Sequence, residues 1–289
     1  MVSVWHEMCI PAYHLLASEP HGPAGGCHQT LIGESECMET DSVQRAAEDL
    51  FSVQNAIAFT GAGISVESGI PDFRSATGLW SRYSPDEYGT IDAFRADPIK
   101  VWKMLGEMMA LVIQAQPNPA HVGLADLEKM GKLQTVITQN VDGLHQAAGS
   151  QNVIEYHGSS ATLSCIACGH GISAEEVSMD NLPPKCPECG SVLKPNVVFF
   201  GEPIPFDAHS RAMEAARTCD LVLVIGTSAM VYPAVDIPVT AKASGAKIIE
   251  MNLEPTPLTN RVSDYIICGR SGEVLPRLVE NLKHLMNRD

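Results

Sequence analysis

From residue 41 onward, short apolar runs rich in β-branched residues alternate with longer amphipathic stretches. The apolar runs predict six strands, at residues 56–60, 133–138, 153–155, 221–225, 247–251 and 265–267. The amphipathic stretches predict helices near residues 42–52, 98–115, 120–130, 208–217, 233–244 and 273–286. Because the strands are apolar on both faces, the pattern predicts an α/β fold with a parallel sheet covered by helices on both sides.

The first forty residues lack this alternation. They hold four histidines, three cysteines and a Gly/Pro cluster at residues 21–26, with neither apolar periodicity nor the layout of a signal peptide. We interpret residues 1–40 as a disordered leader and expect the first helix to begin near Asp41. Two alternatives stay open: the histidines bind a metal, or the start is mis-assigned and translation begins at Met38.

Length and charge limit the classes of protein to which this chain can belong. With 289 residues and 45% hydrophobic content, the chain can bury a full core, as one large domain or as a large domain with an insert. The net charge of −15 argues against nucleic acid or an anionic membrane as a partner and favours a basic, lysine-bearing protein. The sequence contains no apolar run long enough to predict a membrane span. It does not fix the oligomeric state, and a monomer is compatible with it.

Four cysteines, Cys165, Cys168, Cys186 and Cys189, form a C-x2-C-x17-C-x2-C frame. This spacing is typical of zinc sites in which four thiolates surround the metal at about 2.3 Å. A glycine follows each pair, as in the tight turns of zinc knuckles. Two disulfides or four unrelated thiols are the alternatives. Because sulfur fills all four positions, we predict one structural Zn2+ and look for the chemistry elsewhere.

The cysteine frame defines a zinc-ribbon insert at residues 159–196, which interrupts the alternation of strands and helices. Acidic residues outnumber lysines in this segment, and an acidic module gains nothing from counterion release on a phosphate backbone. We therefore expect no direct contact with nucleic acid. Thiols kept reduced for zinc predict a reducing compartment, which we take to be the cytoplasm.

A glycine-rich turn, Gly61-Ala62-Gly63, follows the first predicted strand. Turns of this kind let backbone N–H groups approach a pyrophosphate at a helix start. The third glycine is displaced to Gly69, and no acidic residue stands at the end of a second strand about twenty positions on, so the dinucleotide fingerprint is incomplete. The turn alone leaves open a cofactor site or an ordinary strand-to-helix connection, and it disfavours a hydride-transferring dehydrogenase.

Polar clusters also follow the other predicted strands. They are TQNVDGLH at residues 138–145, YHG at 156–158, GTS at 226–228 and NLE at 252–254. In open α/β sheets, ligands bind at the carboxyl ends of the strands. We therefore expect these clusters to line one site.

Together with GAGISVESGIPDFR at 61–74, PNVVFFGE at 195–202 and the cysteine frame, these motifs give the chain its likeness to a known family. Over about residues 45–285 it resembles the sirtuins, NAD-dependent protein-lysine deacylases. The resemblance implies a Rossmann-like NAD-binding domain at residues 41–158 and 197–289, with a helical insertion at about 75–118 that belongs to the small zinc lobe. It implies a prokaryotic-type deacetylase with NAD as co-substrate and acetylated lysine-bearing proteins as partners. A protein mono-ADP-ribosyltransferase using the same NAD site is the alternative.

The resemblance also assigns residues. Those expected to hold NAD are Gly61, Ala62, Gly63, Val66, Phe73, Arg74, Gln139, Asn140, Val141, Asp142, Gly226, Thr227, Ser228, Asn252, Leu253 and Ser271. Those expected to bind the peptide are Val198, Phe199, Phe200, Gly201 and Glu202. Taken locally, residues 197–202 predict a short strand, to which the peptide would add by backbone pairing.

His157 is the expected general base, because an imidazole with a pKa near 6.5 is largely neutral at physiological pH. In the family's reaction nicotinamide leaves, a ribose hydroxyl is deprotonated, and the acetyl group passes from lysine to ADP-ribose. A buried histidine satisfied by backbone bonds is the alternative. Asn140 is expected to orient the ribose or a water, or else to cap its own turn. We expect His145 to support the loop, and Glu67 either to cap a helix or to serve the site.

One departure concerns the acyl group. Sirtuins that prefer malonyl, succinyl or glutaryl groups carry a Tyr-x-x-Arg on the helix after the cofactor loop, where this chain has Leu105 and Met108. An anionic acyl group would lose its hydration there without gaining a cation. We therefore predict acetyl or longer neutral acyl groups. The methionines at 104, 108 and 109, with Leu111, either line an acyl pocket or simply fill the core.

Overall fold

The computed structural model describes residues 32–178 and 181–288. The chain divides into two units, Met1–Met38 and Glu39–Asp289, and the fold described below is that of the second. Its helices are α1 (Ile32–Ser52, shared with the first unit), α2 (Leu79–Arg82), α3 (Pro85–Tyr88), α4 (Ile91–Ala96), α5 (Pro98–Gln114), α6 (Pro119–Lys129), α7 (Leu144–Ala147), α8 (Phe206–Thr218), α9 (Asp236–Ala243) and α10 (Ser271–Met286). Short 3-10 turns occupy Ala62–Ser68 and Ala174–Glu176.

The strands form two sheets. They are β1 (Ala56–Thr60), β2 (Thr135–Thr138), β3 (Val153–Glu155), β4 (Gly158–Cys165), β5 (Gly171–Ser173), β6 (Leu193–Val197), β7 (Leu221–Ile225), β8 (Lys247–Asn252) and β9 (Tyr265–Cys268). The large sheet has the order β3-β2-β1-β7-β8-β9, and every neighbouring pair is parallel. The small sheet, β5-β4-β6, is antiparallel. The predicted parallel sheet is therefore confirmed.

Buried residues lie on both faces of the large sheet. One core cluster joins the strands to α1, α6 and α10. A second joins their opposite face to α8 and α9. All five residues of β1 and of β7 are buried, which explains why these strands are apolar throughout. The strand order reverses between β1 and β7, and in folds of this type the ligand crevice lies at such a reversal.

A third core cluster joins helices α2, α4 and α5 to the segment that carries the four cysteines. Trp102 of α5 is fully buried in it and donates from Nε1 to the carbonyl of Leu193 on β6, over 2.9 Å. The cluster thus packs the predicted helical insertion against the predicted zinc insert. The limits of the zinc insert, residues 159 and 196, stay a prediction. Gly158 and Val197, the residues that flank this insert, pair with each other.

Two sequence expectations are contradicted by the structure, apart from shifts of up to three residues at the ends of other elements. Helix α1 begins at Ile32, so residues 32–40 of the predicted leader are helical; neither glycine nor proline interrupts the chain from residue 34 to the end of that helix. Residues 1–31, which carry the leader's histidines, lie outside the described residues. The predicted strand at 197–202 is wrong beyond Val197, because Gly201 adopts a φ of 89° and the chain turns there.

Candidate active site

Two glycine turns meet backbone to backbone at the strand reversal. The N–H of Gly63 donates to the carbonyl of Gly226 over 2.8 Å, and the N–H of Gly61 donates to that of Ile225 over 3.1 Å. A Cβ on Gly63 would lie 2.7 Å from the Gly226 oxygen, and one on Gly226 would lie 2.3 Å from the nitrogen of Ile64. The close packing of the two loops therefore requires glycine at both positions, whether or not a phosphate also approaches the turn.

Polar side chains link the ends of three strands. Gln139, after β2, donates from Nε2 to Thr227 Oγ1 over 3.1 Å. Thr227, after β7, donates from its backbone N–H to Asn252 Oδ1 at the end of β8, over 3.1 Å. Asn252 is buried, and its Nδ2 has no partner among the described residues. An orphaned amide donor at this edge fits a ligand with ribose hydroxyls or a purine ring.

A second network ties the loop after β2 to the glycine turn. Asn140 donates from Nδ2 to the carbonyl of Gly61 over 3.2 Å and to Ser65 Oγ over 3.0 Å. Ser65 in turn donates to Asp142 Oδ2 over 2.7 Å, while Asp142 Oδ1 accepts from the N–H of Leu144. The Asn140 amide nitrogen thus donates both of its hydrogen bonds within the protein. Its Oδ1 is left to act on a ligand.

His157 lies between these two networks and the small sheet. Its Nδ1 is 3.1 Å from the carbonyl oxygen of Gln139. Because a carbonyl can only accept, Nδ1 carries the proton and the neutral ring presents an unprotonated Nε2. Burial lowers the pKa of His157 below its usual value, partly opposed by the bond to Gln139. The half-buried ring can therefore accept a proton at Nε2 at neutral pH.

Two further histidines lie under this loop. His145 is buried, with Nε2 3.0 Å from Thr60 Oγ1, and its ring centroid is 4.9 Å from that of His121. Burial lowers the pKa of His145 to about 3 and that of His121 to about 4. Both rings are therefore neutral, and His145 supports the loop as expected. His121 lies 3.4 Å from Ser65 Oγ.

Sequence reasoning missed His121, Ser65 and Asn118. Asn118 caps α6 and donates from Nδ2 to the carbonyl of Ile64 over 2.7 Å, so it also ties α6 to the glycine turn. His121 completes the capping box at its third position. The signal for both was the sequence Asn-Pro-x-His at the predicted helix start.

The expected peptide segment adjoins His157. The N–H of Val198 donates to the carbonyl of His157 over 2.8 Å. Phe199 is buried with its centroid 5.5 Å from that of Phe94, whereas Phe200 is 45% exposed. Glu202 folds back, its Oε2 accepting from the N–H of Phe199 over 2.9 Å. The segment is thus a turn fixed against both the histidine and the small lobe.

The remaining expected cofactor residues make fewer contacts. Phe73 and Arg74 lie on an exposed loop that Asp72 turns by accepting two backbone N–H bonds. Ala62, Val141 and Ser228 are half-buried at strand ends, Val66 and Leu253 are exposed, and Ser271 is buried at the start of α10.

Glu67 caps a helix. Its Oε2 accepts from the backbone N–H of Gly272, in the first turn of α10, over 2.8 Å. A carboxylate here satisfies an orphan donor and faces the positive end of the helix. The capping alternative for Glu67 is thereby favoured.

The four cysteines converge. Their Sγ atoms all lie within 4.8 Å of one another, with Cys165 to Cys189 at 3.4 Å and Cys168 to Cys186 at 3.7 Å. All four thiols are free. Tetrahedral zinc with bonds of about 2.3 Å needs sulfurs about 3.8 Å apart. The site therefore fits zinc, and no two of these four sulfurs are joined in a disulfide.

Glycine turns shape both halves of the zinc site. The N–H of Gly169 donates to the carbonyl of Cys165, and that of Gly190 donates to the carbonyl of Cys186. Both glycines have positive φ, at 74° and 73°. The two CxxC turns therefore share one geometry, as the sequence predicts.

Comparison with known proteins identifies the family. A sequence model described as the Sir2 family matches residues 61–233. NAD-dependent protein deacylase 2 of Pyrobaculum aerophilum is 48% identical over 237 residues, covering 82% of this chain and 94% of that protein. The chain belongs to the Sir2 family. The NAD-dependent protein deacetylase of Sulfurisphaera tokodaii is also 48% identical, over 85% of this chain and 97% of that protein.

Solved Sir2 structures share the fold. A Sir2 homologue in complex with NAD is 44% identical and covers 84% of this chain and 94% of its own, with a TM-score of 0.78. A Sir2 protein bound to a myristoylated histone peptide is 40% identical and covers 86% and 99%, with a TM-score of 0.74. At these identities and lengths, both the Rossmann-like sheet and the small lobe of this chain follow the Sir2 architecture.

Proposed function

We propose that this chain is an NAD-dependent protein-lysine deacetylase whose general base is His157. It transfers the acetyl group of acetyl-lysine to ADP-ribose and releases nicotinamide, O-acetyl-ADP-ribose and the deacetylated protein. The two relatives named above, both 48% identical to this chain, are an NAD-dependent protein deacylase and an NAD-dependent protein deacetylase. The observation that carries the mechanism is the 3.1 Å contact of His157 Nδ1 with the Gln139 carbonyl.

Each residue of the site has a task that follows from its contacts. NAD, when bound, supplies the ADP-ribosyl group that accepts the acetyl group. His157 takes a proton at Nε2, the nitrogen left free by the bond to Gln139. Asn140, held by Gly61 and Ser65, presents Oδ1 to a ribose hydroxyl or a water. Asp142, oriented by Ser65, accepts from the nicotinamide carboxamide.

The cofactor residues divide by position. The turn Gly61, Ala62 and Gly63 faces the pyrophosphate, while Phe73 and Arg74 on the exposed loop cover the cofactor. The adenosine half lies against the ends of β7 and β8, where Asn252 Nδ2 has no hydrogen-bond partner within the described part of the chain. The residues proposed for that half are Gly226, Thr227, Ser228, Asn252, Leu253 and Ser271.

Zinc has a structural role. Cys165, Cys168, Cys186 and Cys189 fill all four positions, so none is left for a water or substrate. Cys165 and Cys186 belong to the buried cluster of the small lobe. The metal therefore stabilises the lobe that supports residues 198–202. Since the thiols must stay reduced, we place the enzyme in the cytoplasm.

The substrate is a neutral acyl-lysine in a protein. Leu105 and Met108 pack partly buried against the small-lobe core and offer no cation. Met104 is 4% exposed within the same core, which favours core filling for the methionines. One Sir2 relative binds a myristoylated peptide, so longer neutral chains also suit the family fold. We expect succinyl-lysine peptides to react at least about a hundred-fold more slowly than acetyl-lysine peptides, a difference of roughly 3 kcal/mol.

One experiment separates deacylation from ADP-ribosyl transfer. The protein is incubated with NAD and an acetyl-lysine peptide, and the products are identified by mass spectrometry. Deacetylation predicts nicotinamide, O-acetyl-ADP-ribose and a peptide lighter by one acetyl group. Release of nicotinamide with ADP-ribose attached to protein, and no O-acetyl-ADP-ribose, would establish the transferase instead.

A further inference from the structure

We propose that Lys194 is a positioning residue that holds residues 198–202 in the shape that receives the acyl-lysine peptide. The proposal rests on the function proposed above. Lys194 lies on β6, and its side chain is only 12% exposed. A buried ammonium is tolerated only where acceptors replace its water, so its partners show what it holds.

All three hydrogen-bonding directions of the ammonium are used. Lys194 Nζ donates to Glu202 Oε2 over 2.9 Å, to the carbonyl of Val197 over 2.9 Å and to that of Pro195 over 3.1 Å. It also lies 4.8 Å from the centroid of the Phe199 ring. Every one of these partners belongs to residues 195–202. The segment that leaves β6 is therefore folded around this single amine.

Glu202 links the Lys194 ammonium to the backbone of residues 198–202. The oxygen that accepts from Lys194, Oε2, also accepts from the N–H of Phe199. The N–H of Glu202 donates to the Phe199 carbonyl over 3.0 Å, and Gly201 between them adopts a φ of 89°. Without the ammonium, the carboxylate would be left 23% exposed and without a cation. It would then turn toward water and release the Phe199 N–H.

The same segment holds His157 in place. The Val198 N–H donates to the His157 carbonyl, and Gly158 pairs with Val197. On the other side, the Phe200 N–H donates to the Gly89 carbonyl over 2.9 Å. A shift of residues 198–202 would therefore displace the backbone that binds the peptide. Through the bond from the Val198 N–H, it would also disturb His157.

A purely structural ion pair is the competing explanation, and the same lobe supplies a matched control. Lys100 Nζ lies 2.5 Å from Glu87 Oε2 and 4.5 Å from the centroid of the Tyr88 ring. Lys100 thus combines a carboxylate with an aromatic ring as Lys194 does, but it has no contact with residues 195–202 among its hydrogen bonds and ion pairs in the described chain. Lys100→Met removes the same chemistry without breaking a direct bond to residues 195–202. Its partners Glu87 and Tyr88 precede Gly89, whose backbone carbonyl keeps its own bond from the Phe200 N–H.

The test measures binding as well as turnover. The affinity of a fluorescein-labelled acetyl-lysine peptide is measured by anisotropy in the presence of ADP-ribose, for the wild type, Lys194→Met, Lys194→Arg and Lys100→Met. Lys194→Met should weaken the peptide about ten-fold, the loss expected from roughly one charge-assisted hydrogen bond. Zinc content and the Kd for ADP-ribose should stay at wild-type values. Lys194→Arg should restore most of the peptide affinity, and Lys100→Met should keep it.

Several results would overturn the proposal. They are wild-type peptide affinity in Lys194→Met, equal losses of peptide, ADP-ribose and zinc, or no rescue by arginine. Should Lys194→Met not fold, Glu202→Gln tests the same contact, because it keeps the side-chain shape and removes the charge; unchanged peptide affinity there would also refute the role. A wild type that binds the peptide but forms no O-acetyl-ADP-ribose would contradict the proposed function and leave the Lys194 result to be judged by binding.

Discussion

His157 Nδ1 and the Gln139 carbonyl oxygen lie 3.1 Å apart, and this contact fixes which nitrogen of the ring is basic. Gln139 follows β2, and its own side chain reaches Thr227 after β7. The ring is thus oriented by the same residues that line the strand reversal. One contact joins the proposed base to the proposed cofactor site.

The first prediction concerns the pH dependence of catalysis. Burial lowers the pKa of His157 below 6.5, so the neutral, basic form persists to lower pH than in a free histidine. The value of kcat/KM should therefore fall only as pH drops through a midpoint below 6.5. A pH profile of kcat/KM for an acetyl-lysine peptide tests this. An acid limb centred above 7 would show that a different group, or a charged His157, controls the reaction.

The second prediction concerns stability in acid. His121 and His145 have pKa values of about 4 and 3 in the folded protein and near 6.5 when unfolded. Between these values the unfolded chain binds more protons, so the folded state is fully stable above pH 6.5 and loses stability as pH falls below it. Each histidine should lower the free energy of unfolding by about 1.4 kcal/mol per pH unit in that window.

Denaturant unfolding at a series of pH values measures this slope. A His121→Gln/His145→Gln variant should show a flatter dependence between pH 6 and 5, even if it is less stable at pH 7. His284→Gln, at the exposed end of α10, serves as control and should keep the wild-type slope. An unchanged slope in the double variant would mean that the two rings are not buried as described.

The third prediction concerns zinc. Cys165→Ser should remove the metal and unfold the small lobe, because Cys165 is both a ligand and part of the lobe's core. Metal analysis and circular dichroism should show loss of zinc together with a loss of cooperative unfolding. The control is Cys219→Ser, a buried thiol outside the cluster, which should retain zinc. A Cys165→Ser protein that stays fully folded without metal would contradict a structural role.

The fourth prediction concerns the contact of the two glycine turns. Gly226→Ala places a Cβ 2.3 Å from the Ile64 nitrogen at a φ of 59°. It should destabilise the protein by more than about 2 kcal/mol and weaken ADP-ribose binding, because the loops must separate. Gly245→Ala is the control, since Gly245 also has a positive φ, of 100°, but a Cβ added there would meet no atom of the described chain within 4 Å. It should cost only about 1 kcal/mol and leave ADP-ribose binding intact.

Thermal unfolding and calorimetric titration with ADP-ribose measure both effects. Equal affinity for ADP-ribose in Gly226→Ala and wild type would show that the turns need not touch for the cofactor to bind.

Much of the fold could be predicted from the sequence, and the exceptions have physical reasons. The bounds of β1 and β7 were predicted correctly because buried parallel strands are continuous apolar runs. Helices of four to six residues, such as α2, α3 and α4, were missed because they are too short to show a period. Their stability comes from packing against the small-lobe core.

The site, like the fold, could be predicted only in part from the sequence. Its loops could be predicted because strand ends in parallel sheets gather on one edge. The roles of Ser65 and His121 could not, because they depend on distances between residues 56 positions apart, as in the 3.4 Å contact between them. The predicted strand at 197–202 ends at Val197 because the chain turns at Gly201, and the bond from Lys194 to Glu202 across this turn cannot be seen in the local pattern of apolar residues.

Comparing the wild type with His157→Ala in one assay tests whether His157 is the general base. Each protein is given NAD and an acetyl-lysine peptide, O-acetyl-ADP-ribose is quantified by mass spectrometry, and the Kd for ADP-ribose is measured by calorimetry. We expect product from the wild type, a loss of at least about a hundred-fold in His157→Ala, and similar ADP-ribose affinity in both. A His157→Ala protein that forms O-acetyl-ADP-ribose at the wild-type rate would show that His157 is not the general base.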